Sequence, residues 1–232
     1  MINKKTFTKV LPTIPASLQL TARFDDADIL FDWHKVEDFR GASIDGVQVI
    51  ARTPGNPIGM DLLFASSHIK EVERGVSVDQ APPSLGTVNS AVSLAQWKNN
   101  LTGIAQIVTG DFNDNDLGVL HIAEKHGLNI PVSGDLYIAA ITKSTPDYRN
   151  TAQVSTQTAT NTTAVVVKTI SALTLFAPGD VINDQDDQHI GTVRSVTDAN
   201  NIVLTKNCAS VSAVDKLLYN IHPVQIMLSG SL

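Results

Sequence analysis

"LYIAAIT", Leu136–Thr142, is apolar at nearly every position, on both faces of any strand it could form. A half-buried strand alternates apolar with polar; a short continuous run belongs to a strand covered on both sides. The stretch therefore predicts a central strand between two layers. It makes the chain a sheet protein whose other segments must supply neighbours and cover.

Those neighbours are legible outward from it. "ASLQLTARF" alternates, with Leu18 and Leu20 on one face and Gln19 and Thr21 on the other. "GVQVIART" (46–53) ends at Pro54-Gly55, a turn signal. "MDLLFASS" (60–67), "GIAQIVTG" (103–110) and "LGVLHIAE" (117–124) add further strands. Helix is scarce: "SAVSLAQWKNN" (90–100), with Ser90 as N-cap, and "DWHKVEDF" (32–39), ended by Gly41, are short candidates.

From Ser144 to Thr163 large apolar residues nearly vanish and Thr, Asn and Gln dominate, which predicts a linker or a surface arm. Beyond it "AVVVKTI" (164–170), "DVIND" (180–184), "HIGTVRSVT" (189–197), "NIVLT" (201–205) and "NIHPVQIML" (220–228) read as five short strands. Turns at Pro178-Gly179 and at Asp198–Asn201 separate them. Five such strands suit a small SH3-like barrel. No exact internal repeat is present. The expected organisation is an all-β chain, with a sandwich over 1–148, a linker over 149–163 and a barrel over 164–232.

Composition narrows the partners. Of 232 residues 43% are apolar, enough for a packed core, and only 17% are charged. A net charge of −6, with Lys4, Lys5 and Lys9 as the densest basic group, argues against nucleic acid. No apolar run reaches the length of a membrane span, and Pro12 and Pro15 interrupt what would follow the early basic pair of a secretory signal. The single cysteine, Cys208, reads as a small buried hydrophobe beside Ala209 rather than a nucleophile.

"GDFNDNDLG" (110–118) looks like the start of a calcium loop, with Asp111, Asn113 and Asn115 at alternate positions. Counting from Asp111, an EF-hand needs Gly at the sixth place and Glu at the twelfth; Asp116 and Ile122 stand there. The stretch reads as a hairpin turn, as does "NDQDDQ" (183–188) with Asp184, Asp186 and Asp187. "HIAEKH" holds His121, Glu124 and His126, but at spacings that fit neither zinc-enzyme signature. On a strand, His121 faces away from both Glu124 and His126. The adjacent carboxylates Asp25/Asp26 and Asp186/Asp187 point apart on extended chain, and no phosphate loop, dinucleotide fingerprint or nucleophile elbow occurs. No catalytic, cofactor or metal site is expected, and no cofactor.

The order of these elements resembles a group of tailed-bacteriophage virion proteins, marine ones included. The likeness rests on Asp61, Leu62 and Phe64; on Gly103, Ile104 and Ile107; on Gly127, Leu128 and Pro131; and on Leu136, Tyr137, Thr145, Pro146 and Tyr148. It covers about the first 150 residues and departs at "GLNIP", which carries two extra residues before the proline. Phe176–Thr205 looks like small barrel modules appended to phage structural proteins. The resemblance implies a jelly-roll-like antiparallel β-sandwich followed by the small barrel, in a non-enzymatic capsid decoration or stabilising protein. Its expected partners are capsid or other virion proteins and copies of itself, as a homo-oligomer such as a trimer, with no nucleic acid and no membrane. Its expected location is the virion, assembled in a bacterial cytoplasm. Two rivals remain. One is a tail or fibre module binding a receptor or carbohydrate, for which Trp33 and Trp97 are the only tryptophans. The other is a virion-associated hydrolase.

Overall fold

The computed structural model describes residues 5–14, 19, 24–52, 59–69, 91–113, 120–143 and 151–231. It is an all-β chain of antiparallel sheets, divided into two compact units.

The first unit comprises Met1–Pro12, Arg23–Pro146 and Val224–Leu232. Its strands are β1 (Lys5–Val10), β2 (Ile29–Lys35), β3 (Ser43–Arg52), β4 (Met60–Ala65), β5 (Leu101–Ile107), β6 (Phe112–Asn113), β7 (Leu120–Pro131) and β8 (Tyr137–Thr142), with β15 (Val224–Ser231) from the far end of the chain. They form a sandwich of two sheets, in the orders β1-β15-β3-β7-β6 and β2-β8-β4-β5.

β8 is the interior strand its composition predicts. It pairs with β2 on one side and β4 on the other. Ala139 and Ile141 join Ile29, Trp33, Leu63 and Ile69 in one apolar cluster, with Trp97 of helix α1 (Ala91–Asn100) packed against it. The alternate residues Ile138 and Ala140 are buried on the opposite face. In the other sheet Val47, Val49 and Ala51 of β3 and Val224, Ile226 and Leu228 of β15 supply the inward positions. Gly103 lets β5 approach β7, since a Cβ there would come within 2.7 Å of Ile130 Cγ2.

"DWHKVEDF" is not helical; its first half belongs to β2. The i, i+3 spacing of Trp33 and Val36 imitates a helix, but Trp33 is buried from a strand that shifts register twice against β8, and Val36 is buried just past its end. Pairing with a buried strand overrides a weak local pattern. Helix α1 lies where expected. Its cap at Ser90, the Pro54-Gly55 turn, and "ASLQLTARF" apart from Gln19 and Phe24 lie outside the described residues. Gln19 itself has helical backbone.

The second unit comprises Thr13–Ala22 and Asp147–Pro223. Its strands are β9 (Ala152–Thr156), β10 (Ala164–Lys168), β11 (Val181–Asp184), β12 (His189–Val196), β13 (Asn201–Leu204) and β14 (Leu217–Asn220), with a single helical turn α2 (Ala172–Leu175). They close into a barrel in the order β10-β13-β12-β11-β14-β9. It has six strands rather than five. Two of the six lie outside the expected strands: β9, from the Thr-rich stretch expected to be a linker, pairs with both β10 and β14, and β14 itself lies almost wholly before the expected fifth strand. Ala152 and Val154 point into the core and Gln153 and Ser155 outward, an alternation too brief and too small-sided to stand out.

The domain limits shift accordingly. "NIHPVQIML" is not a barrel strand: it holds the last residue of β14, a break at Ile221–Pro223, where proline cannot donate to a ladder, and then Val224–Leu228 of β15. Leu217–Asn220, almost wholly before that stretch, closes the barrel as β14, and the second half, within β15, enters the sandwich between β1 and β3. The barrel is thus an insertion between β8 and β15. Thr13–Ala22 belongs with the barrel: Ile14 N–H donates to the Ile221 carbonyl at 2.9 Å, and the buried Gln19 amide donates to the Asn220 carbonyl at 2.9 Å. The Pro178-Gly179 turn forms as read, Gly179 supplying φ +94°.

Candidate functional site

Among the described residues of the sequence's acidic stretches, Asp111, Asp184, Asp186 and Asp187 commit their carboxylates to the chain itself. Thr109–Asp111 is a turn of 3-10 helix leading into β6, which pairs with β7. Asp111 Oδ2 accepts the Val108 N–H at 2.9 Å and lies 3.3 Å from Lys125 Nζ. The Val108 hydrogen bond, then Lys125, hold this carboxyl below the usual range. An ammonium therefore stands where a cation would bind. Asn115 and Asp116 lie outside the described residues.

In "NDQDDQ", Asp184 is 1% exposed and fully engaged. Its Oδ1 accepts the N–H groups of Asp186 (3.0 Å) and Gln188 (3.1 Å), and its Oδ2 accepts the Ser212 hydroxyl. Asp186 pairs with Lys216, and Asp187 accepts the Tyr219 hydroxyl. This is hairpin chemistry in which each carboxylate has its own partner. At Asp25/Asp26, the Asp25 N–H donates to the buried Asp28 carboxylate at 2.7 Å, closing the turn before β2.

Among the described residues no three His, Cys, Asp or Glu side chains gather as metal ligands, and no helix is long and apolar enough to cross a membrane. Cys208 is buried in the barrel core, and burial pushes its thiol upward in pKa. The two tryptophans belong to one apolar cluster, where Trp33 donates its indole N–H to the Ile69 carbonyl at 3.0 Å.

What the chain does present is the outer face of the β1-β15-β3-β7-β6 sheet. Register aligns Lys9, Met227, Gln48 and Glu124 in one cross-strand row and Phe7, Ser229, Gly46 and His126 in the next. The Gln48 amide donates to Glu124 Oε1 at 2.6 Å, and His126 Nε2 lies 3.3 Å from Glu124 Oε2. These two contacts, Gln48 first, hold Glu124 below the ordinary carboxylate range. His121 does not share this face, as its odd spacing predicts. Phe7 on the edge strand β1 is 67% exposed, and Met227 on the neighbouring β15 is 39% exposed. A polar, lightly charged face carrying exposed apolar side chains suits surface contact.

Sequence reading did not find β1. Its signal was present in "KTFTKV", where Lys5, Phe7 and Lys9 alternate strictly with Thr6 and Thr8. The Gln48–Glu124 pair was not legible, because strands 76 residues apart must first be placed side by side. Searched against protein-family models, curated proteins and solved structures, the chain matches none.

Proposed function

We propose that this chain is a non-enzymatic virion structural protein, a capsid decoration or stabilising subunit acting through contacts with copies of itself and with capsid proteins. The observation that carries the reading is strand order. With the short β6 set aside, the sheets run β1-β15-β3-β7 and β2-β8-β4-β5. Numbered from one to eight along the chain without the barrel, that is 1-8-3-6 and 2-7-4-5, an order that supports reading the sandwich as a jelly roll. That architecture recurs in viral capsid domains and in lectins. The sequence resemblance to tailed-phage virion proteins points to the first of these.

The barrel strengthens the reading as an elaboration: it occupies the connection between the seventh and eighth strands, a place where a domain can be added without disturbing either sheet. The site chemistry is consistent with it, since the exposed face offers hydrogen bonds and apolar contacts.

The test is peptide mass spectrometry and cryo-electron microscopy of purified particles from a phage encoding this chain. The protein is expected in stoichiometric amounts on the capsid, with density for a sandwich and a small barrel. Absence from intact particles overturns the proposal. Density confined to the tail tip would replace capsid decoration with host recognition.

A further inference from the structure

Among the described residues the sandwich has four sheet edges, and they are not equivalent. β6 has two described residues. β2 shifts register twice against β8, and β5 shifts once against β4. Such irregularities spoil an edge for further pairing. β1 alone runs straight: Lys5 to Val10 pair with Ser231 to Ile226 through six consecutive residues without a shift. In an antiparallel ladder about half of an edge strand's backbone groups point away from its neighbour, and no described strand pairs with that side of β1.

Its side chains are as regular as its backbone. Lys5, Phe7 and Lys9 are exposed on one face, while Thr6 and Thr8 are half-buried on the other. Among the described residues neither lysine forms an ion pair. Lys5 is felt by Asp45, but that carboxylate is engaged by the hydroxyls of Ser43 and Ser231.

Edge lysines guard against self-pairing. A second β1 centred on Phe7 would set Lys5 against Lys9 twice, and like charges directly opposite are destabilising. The same arrangement selects a different strand, one with carboxylates at the two lysine positions and an apolar side chain between them. Protection alone accounts for the lysines and leaves Phe7 unexplained.

We propose that the free edge of β1 is a docking site for an extended partner segment of the pattern acidic-x-apolar-x-acidic, which adds to the sheet as a further strand. Its acidic groups face Lys5 and Lys9 and its apolar side chain covers Phe7. Backbone hydrogen bonds supply affinity, and the alternating side chains supply selection. That the partner is another virion protein rests on the function proposed above; the edge and its charge pattern do not.

The test uses the full chain and two blocked peptides, Thr-Glu-Thr-Val-Thr-Glu-Thr and its lysine counterpart Thr-Lys-Thr-Val-Thr-Lys-Thr, titrated by amide NMR at low salt. The acidic peptide is expected to shift and protect amides of β1. It should bind about tenfold more tightly than the lysine peptide, the swing expected when two cross-strand charge pairs change sign. In the K5E/K9E variant the preference inverts, and Phe7→Thr weakens both peptides; a thermal melt confirms that each variant is folded. Equal binding of the two peptides, no binding, or shifts mapping away from β1 overturn the proposal. Failure here leaves the virion reading standing, and absence from particles leaves the edge standing.

Discussion

Ser212 donates its hydroxyl to Asp184 Oδ2 at 3.1 Å, joining the β11–β12 hairpin to the segment before β14 inside the second unit. Both residues are 1% exposed. The link continues, as Ser212 N–H donates to Thr158 Oγ1 and Thr158 N–H returns to the Ser212 carbonyl. Ser212→Ala removes only the donor to Asp184 and leaves a buried carboxylate oxygen short of a partner. The expected cost is about 1–3 kcal/mol, read as a lower urea midpoint with an unchanged slope. A midpoint equal to that of the unaltered chain would show that water replaces the hydroxyl.

Gly103 and Ile130 define the approach of β5 to β7. A Cβ at 103 would meet Ile130 Cγ2 at 2.7 Å and Cγ1 at 2.8 Å, and a β-branched side chain cannot swing aside freely. Gly103→Ala is therefore expected to destabilise by about 1–3 kcal/mol. In an Ile130→Ala background the same change should cost much less, because the obstacle is gone. A double-mutant cycle by chemical denaturation measures this coupling; additive effects would contradict the packing.

How far these features were legible depends on whether one segment suffices to show them. β8 was, because seven residues without a polar face demand cover on both sides. The Asp198 turn was too: Asp198 Oδ1 accepts the N–H groups of Asn200 at 2.8 Å and Asn201 at 3.0 Å, all within four residues. β9 was not, because Ala152 and Val154 are its only apolar residues and its role follows from pairing with β10 and β14. The insertion of the barrel was not either. "NIHPVQIML" looks like one strand, and only the partners of β15, which lie at residues 5–10 and 43–51, show that the chain has returned to the sandwich. At the surface the local charge pattern was readable, but the face that Gln48, Glu124 and Lys9 share is a product of register.

Cys208 gives a chemical clock for the barrel. The thiolate, not the thiol, is alkylated, and burial both covers this sulfur and raises its pKa from the ordinary 9.0. In the folded chain iodoacetamide at pH 8 is expected to react at a small fraction of the rate for the urea-unfolded chain. The rate should rise with denaturant along the barrel's unfolding transition. The same shift predicts that stability from this group is intact below pH 9 and declines as pH rises, since the unfolded thiol ionises first. Rapid alkylation under native conditions would contradict the buried position.

Acid should weaken both units, and each contains a carboxylate whose removal reports on it separately. Asp111 in the sandwich is held below its ordinary 3.8 by the Val108 N–H and then by Lys125. Asp198 in the barrel is held below the same value by Asn200 and then Asn201. A depressed folded-state pKa contributes stability that is fully present above the unfolded value and disappears as pH falls through the folded one. Unfolding midpoints are thus expected to be level near neutrality and to drop below about pH 4, the range of unperturbed carboxylates. Trp33 and Trp97 both belong to the sandwich, so tryptophan fluorescence follows that unit. Asp111→Asn should lower the fluorescence-detected midpoint at neutral pH and flatten its acid slope, while Asp198→Asn leaves that transition unmoved. An Asp111→Asn variant with the full acid slope would assign the loss to other carboxylates of the sandwich, Asp45 and Glu124 among them, whose pKa values are also depressed.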